Sequence, residues 1–160
     1  MVDSVITLTN EYAAVPRAAA GRTGPPPEPA SLGLPRLRPA ELTRTADALY
    51  PVFAAASQPA AVSILNAILL GELAVQQLDP ADPTAEPRWH AHPDADRQLL
   101  VSCAAALLQS ASAGHRFGLC HASRCADVFV DSGRGRTRRY CSAICQNRAK
   151  TANFRRRARS

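Results

Sequence analysis

Residues 120–145 read CHASRCADVFVDSGRGRTRRYCSAIC and hold four of the five cysteines, in two close pairs, Cys120-x4-Cys125 and Cys141-x3-Cys145, with fifteen residues between them. Two short cysteine turns facing each other supply the four ligands of a tetrahedral zinc, at about 2.3 Å from each sulfur, while ordering little chain. The expectation is therefore one structural Zn2+ per chain, held by Cys120, Cys125, Cys141 and Cys145. Between the pairs, residues 127–131 alternate polar and apolar, residues 132–135 carry turn chemistry, and residues 137–140 are suited to return as the second strand. That order is a knuckle, a hairpin and a second cysteine pair entering a helix. The rival reading is two disulfides. Residues 1–15, MVDSVITLTNEYAAV, lack the basic and apolar regions of a secretory signal, so the expected location is cytoplasmic. Thiols there stay reduced, and the spacing then favours metal over disulfide.

The order of these parts resembles a treble-clef finger. Residues 120–159 also resemble the CGNR zinc finger, whose pattern is C-x4-C, an F-x-D strand, a basic stretch ending in an aromatic before a Cys-Ser pair, and a further cysteine opening C-G-N-R-x-K. Phe129, Asp131, Arg138, Arg139, Tyr140, Cys141, Ser142, Cys145, Asn147, Arg148 and Lys150 stand in those places. Gln146 replaces the family glycine and Tyr140 the usual tryptophan. Glutamine is the better helix former, so folding is unharmed unless the backbone needs a close approach there. The resemblance implies a preceding, largely helical ABATE region and a role as a stress-induced transcription regulator.

Charge is unevenly spread along the 160 residues. From Arg116 onward there are twelve basic and two acidic residues, a net of +10; before it there are seven basic and eleven acidic, a net of −4. An acidic globular part joined to a basic finger is the asymmetry of a chain that addresses a polyanion. Apolar residues make up 46% but aromatics only 5%, which predicts a thin core. Eighteen arginines against one lysine, with abundant Ala and Pro, suggest a bacterial genome rich in G and C. The fold expectation is a mostly α N-terminal domain with a small β-hairpin, residues 1–115, followed by a treble-clef-like four-cysteine finger with a basic C-terminal helix, residues 116–160. The first of these is expected to fold without zinc.

By composition residues 1–38 are the least structured, with 5–9 open to strand or helix and the Pro- and Gly-rich 21–38 a linker or surface loop. Asn10 falls where the ABATE region has an Asn-Thr pair, although Glu11 follows it here. A first helix begins near Pro39, with Leu42, Ala46, Leu49 and Phe53 on one face, and Pro51 kinks or restarts it. A second runs from about Pro59 to Gly71 with Val62, Leu65, Ile68 and Leu69 inward, and Asn66 reads as a hydrogen-bonded core residue. Residues 73–77 and 88–92 alternate as a hairpin on which His90 and His92 share a face, more as polar surface than as metal ligands. A helix from Pro93 to about Ala113 buries Leu99, Leu100, Cys103, Ala106 and Leu107, so Cys103 is core and not a ligand.

No hydrolytic, Walker or dinucleotide motif appears, and four thiolates leave zinc no open position, so an enzyme is not expected. No apolar stretch reaches the roughly 20 residues of a membrane span. The finger and the basic helix starting at Cys141 predict a DNA-binding transcription regulator, with other proteins of the transcription machinery as further partners. On that helix Ser142 caps, Ile144 and Ala149 pack on the finger, and Asn147, Arg148, Lys150, Arg155, Arg156 and Arg157 face nucleic acid, with Arg138 and Arg139 from the hairpin. The alternatives are a zinc-stabilised module for protein or RNA, and a thiol-based redox sensor.

Overall fold

The computed structural model describes residues 1–160 except 33–35, 79, 82–83, 85–86, 92, 134–136 and 158–160; the side chains of Leu32 and Arg156 also lie outside the described set. Helices α1 (Val2–Tyr12), α2 (Ala14–Ala19), α3 (Pro39–Ala54) and α4 (Gln58–Gly71) come first, with a 3-10 turn at Pro29–Leu32. Strands β1 (Val75–Gln77) and β2 (Arg88–His90) form a hairpin, α5 (Ala95–Ser112) follows, and β3 (Arg116–Leu119), β4 (Val128–Asp131) and α6 (Ala143–Arg157) complete the chain. The architecture is mostly helical with two small antiparallel hairpins.

The N-terminal stretch is not the weakly structured segment its composition implied. Val5, Leu8, Thr9 and Tyr12 recur on one face of α1 and are buried against α3. Thr9 sends its hydroxyl to the Val5 carbonyl at 2.8 Å, so its polar atom is satisfied inside the core. Packing of that face, not helix propensity, makes the segment helical. The Pro-rich stretch after it is also anchored, because the Tyr12 hydroxyl donates to the Pro27 carbonyl at 2.5 Å, and Pro29 and Leu37 are buried.

Pro39 opens α3, and Glu41 accepts from the Arg38 N–H at 2.7 Å, closing the first turn. The helix passes through Pro51 to Ala54, so the proline costs one bond in the last turn and the restart comes only at α4. Ser57 caps α4 by accepting from Ala60 N at 3.3 Å. Ala61, Leu65 and Leu69 are its buried residues, with Val62 and Ile68 only half-buried. Asn66 is exposed, which corrects the core reading: one residue beyond Leu65, it is turned about 100° away from the buried stripe. The chain reverses after α4 at Leu73, whose φ is 49°, and after α5 at Gly114, φ 83°. Cys103 is buried on α5 with Val101, Ala104, Ala106 and Leu107, while Leu99 and Leu100 are half-buried.

The first hairpin forms as expected, with Val75 opposite His90 and Gln77 opposite Arg88. His90 is exposed on it, and His92 lies outside the described residues. The second hairpin differs from expectation. Val128–Asp131 pairs with β3, upstream of the first cysteine, in the register Arg116 to Asp131 and Leu119 to Val128. Residues 137–140 are not a strand. The reason lies in Asp131, whose carboxylate accepts from the Arg138 and Gly133 N–H groups, both at 3.1 Å, so a side chain holds the returning segment where a ladder was expected.

This second hairpin packs on the helices. Val128 belongs to the same buried cluster as Val5, Leu49, Phe53 and Leu107, and Phe117 meets Phe53 edge to face at 5.5 Å between centroids. Two side-chain amides from the helical part complete its edges. Asn10 accepts from Val128 N at 2.7 Å and donates to Val128 O at 3.2 Å, mimicking a strand residue. Gln58 donates to His115 O at 2.7 Å and accepts from Phe117 N at 3.4 Å. The 115/116 boundary thus separates two segments that share a core. Asn10→Ala is expected to cost about 1–3 kcal/mol of unfolding free energy, because it leaves both Val128 groups unpaired. Urea unfolding of the full chain checks this, and a change within about 0.5 kcal/mol, that of an ordinary surface substitution, would show the clasp to be idle.

Candidate metal centre

Each ligand is delivered by a local device. Cys120 directly follows β3, and its N–H bonds to Asp127 O at 2.9 Å, closing the first knuckle. Arg124 has a φ of 58°, the left-handed turn that brings Cys125 back beside Cys120. The second knuckle is pinned by His121 N to Arg139 O at 2.9 Å and by Arg138, whose guanidinium bonds the Tyr140 and Cys141 carbonyls. Ser142 caps α6 by accepting from Cys145 N at 3.3 Å, which places Cys145 in the first helical turn.

All four sulfurs lie within 4.8 Å of one another, with Cys125 to Cys141 at 3.8 Å and Cys141 to Cys145 at 3.6 Å. A tetrahedron with Zn–S of about 2.3 Å has sulfurs about 3.8 Å apart. A disulfide needs about 2.05 Å, and the cysteines are free thiols. The donor set and its spacing fit zinc, and the four cysteines hold one structural ion. Cys120 and Cys145 are buried, Cys125 and Cys141 half-buried, in a small cluster with Ala122 and Tyr140.

The electrostatics point the same way. Burial pushes the Cys125 thiol up to about 12 and the Cys141 thiol up as well, the latter also through its hydrogen bond with Cys145. Burial acts on Cys120 too, but the Cys141 and Ala122 backbone N–H groups and the neighbouring thiols outweigh it and lower its value. Four thiolates cannot share this pocket without a cation, so zinc binding releases protons and weakens in acid. On α3, burial raises the Tyr50 hydroxyl, and the charges of Asp127 and Cys125 add to that.

Arg138 and Phe129 brace the knuckle. Gly118 sits opposite Phe129, and a Cβ there would stand 2.8 Å from the ring, so the strand pair admits the ring only over a glycine. Arg138 lies 4.9 Å from the same ring centroid. Among the expected nucleic-acid contacts, Arg138 therefore uses its donors within the finger. Arg139, Asn147, Arg148, Lys150, Arg155 and Arg157 are exposed. Arg156 lies in α6 by its backbone, and its side chain is outside the described set. Gln146 is exposed, so no close approach requires the family glycine. Ile144 is 72% exposed, contrary to the expected packing on the finger, because Cys145 takes the inward position and Ile144 is turned about 100° from it; Ala149, one turn on, is half-buried.

Sequence reading gave Asn10 no physical role and missed Gln58, Gly118 and Arg124. Asn10 and Gln58 lie more than a hundred and more than fifty residues from the strands they clasp, and no local pattern marks them.

No helix of the described residues is long and apolar enough to cross a membrane. No curated protein matches the chain. Residues 116–158, from β3 into α6 and including all four ligands, match the family model described as CGNR zinc finger, and over that segment the chain is similar to that family.

Proposed function

We propose that this chain is a zinc-dependent, DNA-binding transcription regulator, bacterial, cytoplasmic and stress-related, in which zinc is structural and no reaction is catalysed. The observation that carries the reading is α6 itself. Zinc and the Ser142 cap fix its first turn, its remaining described side chains are exposed but for Ala149, and no acidic residue occurs from 132 to 160. Fifteen residues make a rod of about 22 Å, long enough to lie in a major groove. Asn147 offers an amide for a base edge, while Arg139, Lys150, Arg155, Arg156 and Arg157 supply phosphate contacts. Arg138 acts by shaping the finger. Other proteins of the transcription machinery are partners in this reading.

Arg155, Arg156 and Arg157 changed together to alanine are expected to weaken binding to all duplexes and flatten the salt slope by about three units, at about 0.9 per phosphate contact. Asn147→Ala is expected to cost about 1–3 kcal/mol on the preferred sequence and less on others. Salt titrations with zinc-loaded protein, after selection of bound sequences from random duplexes, give both quantities. Binding that is abolished by excess RNA and acidic protein would favour an interaction module instead.

A further inference from the structure

An open cleft of about 650 Å³ lies between the end of α2 and the finger, with residues 18–21 on one side and Ser123, Arg124 and Arg148 on the other. We propose that this cleft is a phosphoryl site in which Arg124 and Arg148 grip one backbone phosphate of the bound nucleic acid, making the N-terminal helical part a wall of the interface. The source of the phosphate rests on the nucleic-acid reading above; the site itself does not.

Three features carry the assignment. First, two arginines, Arg124 of the first knuckle and Arg148 of α6, line one cavity with no acidic residue among its lining. Arg22, Arg38, Arg44, Arg97 and Arg116 each have a carboxylate partner. Among the described residues Arg124 and Arg148 have none. Planar forks converging on one space suit the several acceptor oxygens of a phosphoryl group. Second, both arginines sit on metal-clamped backbone. Arg124 occupies the left-handed position immediately before Cys125, and Arg148 follows Cys145 by three residues on α6. Zinc therefore fixes the backbone from which the two side chains extend before any ligand arrives, which lowers part of the ordering cost of binding. Third, the opposite wall is three alanines and Gly21, small enough to admit a sugar-phosphate backbone, and Ser123 adds a hydroxyl donor. Arg155 lies seven residues beyond Arg148, about 10 Å further along the helix and near the same face, so a strand leaving the cleft continues along α6. Arg148 is thus assigned to phosphate and not to a base edge.

Two measurements on the full zinc-loaded chain test this. In the first, inorganic phosphate is titrated while the Nε–H signals of Arg124 and Arg148 are followed by nitrogen NMR. Both are expected to shift in one saturable process, and Ala20→Glu, which puts a carboxylate on the cleft wall, is expected to suppress it far more than Ala20→Gln. In the second, duplex affinity is measured against salt: Arg124→Ala and Arg148→Ala are each expected to lower the slope by about 0.9 and to weaken preferred and random sequences alike. Arg124 and Arg148 signals that phosphate leaves unmoved, together with an unchanged slope in Arg124→Ala, overturn the site. Phosphate-induced shifts in a protein that binds no duplex would keep the cleft as a site for a free phosphoryl ligand and remove the nucleic-acid reading. A loss of sequence preference in Arg148→Ala would assign that residue to base contact and overturn its place in the cleft.

Discussion

Serine in place of Cys120, Cys125, Cys141 or Cys145 is expected to abolish stoichiometric zinc binding and to unfold the knuckles with α6, whereas Cys103→Ser keeps one zinc per chain. A structural zinc contributes about 10–16 kcal/mol of binding free energy that is also folding free energy. The finger has little else to replace it, since its own buried cluster is Cys120, Ala122 and Cys145 with Tyr140 and the remaining cysteines around it. Cys103 lies elsewhere, buried in α5 among aliphatic residues, where burial pushes its thiol up to about 12 and leaves it inert as a ligand. Its replacement leaves a hydroxyl in that core and costs about 1–3 kcal/mol of stability with no loss of metal. Metal analysis of the purified variants reads the outcome directly, and zinc lost from Cys103→Ser but retained in Cys125→Ser would refute the ligand set. Chelation extends the test. β3 and β4 remain held by Val128, Phe117 and the Asn10 and Gln58 clasps, none of which needs the metal. The expected result is loss of the α6 contribution to circular dichroism with α1 and α3 to α5 retained. Loss of all helix in one step would make metal and helical core a single cooperative unit.

Asp131→Asn is expected to destabilise the zinc-loaded chain by about 2–4 kcal/mol, from several charge-assisted hydrogen bonds lost or weakened together. The carboxylate is 8% exposed and accepts from Gly133 N, Arg138 N and the Arg116 guanidinium, each at 3.1 Å. It thereby ties the start of β3, the end of β4 and the return toward Cys141. The Arg138 and Gly133 N–H groups, and after them Arg116, hold its pKa below the usual carboxylate value. A depressed folded-state value means that the stabilisation is fully present above the ordinary value of about 3.9 and is lost only as pH falls through the lowered one. The difference between wild type and Asp131→Asn should therefore be the same at pH 7 and pH 5, measured by urea unfolding with zinc in excess. A difference that grows as pH falls from 7 to 5 would mean a raised pKa and a different role for the group.

The metal centre was legible because its ligands are close in sequence, and short spacing alone restricts the geometry to two facing turns. Helices α3, α4 and α5 were legible from apolar residues at helical spacing and from Pro39, Gly71 and Gly114 at their ends. The strand pairing of the finger was not. Residues 137–140 have the composition of a second strand, but Asp131 captures Arg138 N, and β3, upstream of Cys120, takes the ladder. A local pattern says that a segment can be a strand and does not say which edge it finds.

Sequence by itself determined the zinc ligands, the exclusion of Cys103, the existence and rough extent of the long helices after residue 39, and the basic, acid-free character of α6. These follow from spacing and charge, which are properties of neighbours along the chain. Tertiary structure alone decided that α1 is a core helix, that Asn66 and Ile144 face solvent, that Arg138 is a brace, and that Arg124 and Arg148 line one cleft. It also decided that the finger is seated on the helices through Asn10, Gln58 and Val128. Each depends on which surfaces meet after collapse, a matter of burial and satisfied polar groups between residues far apart in the chain, which no local period encodes.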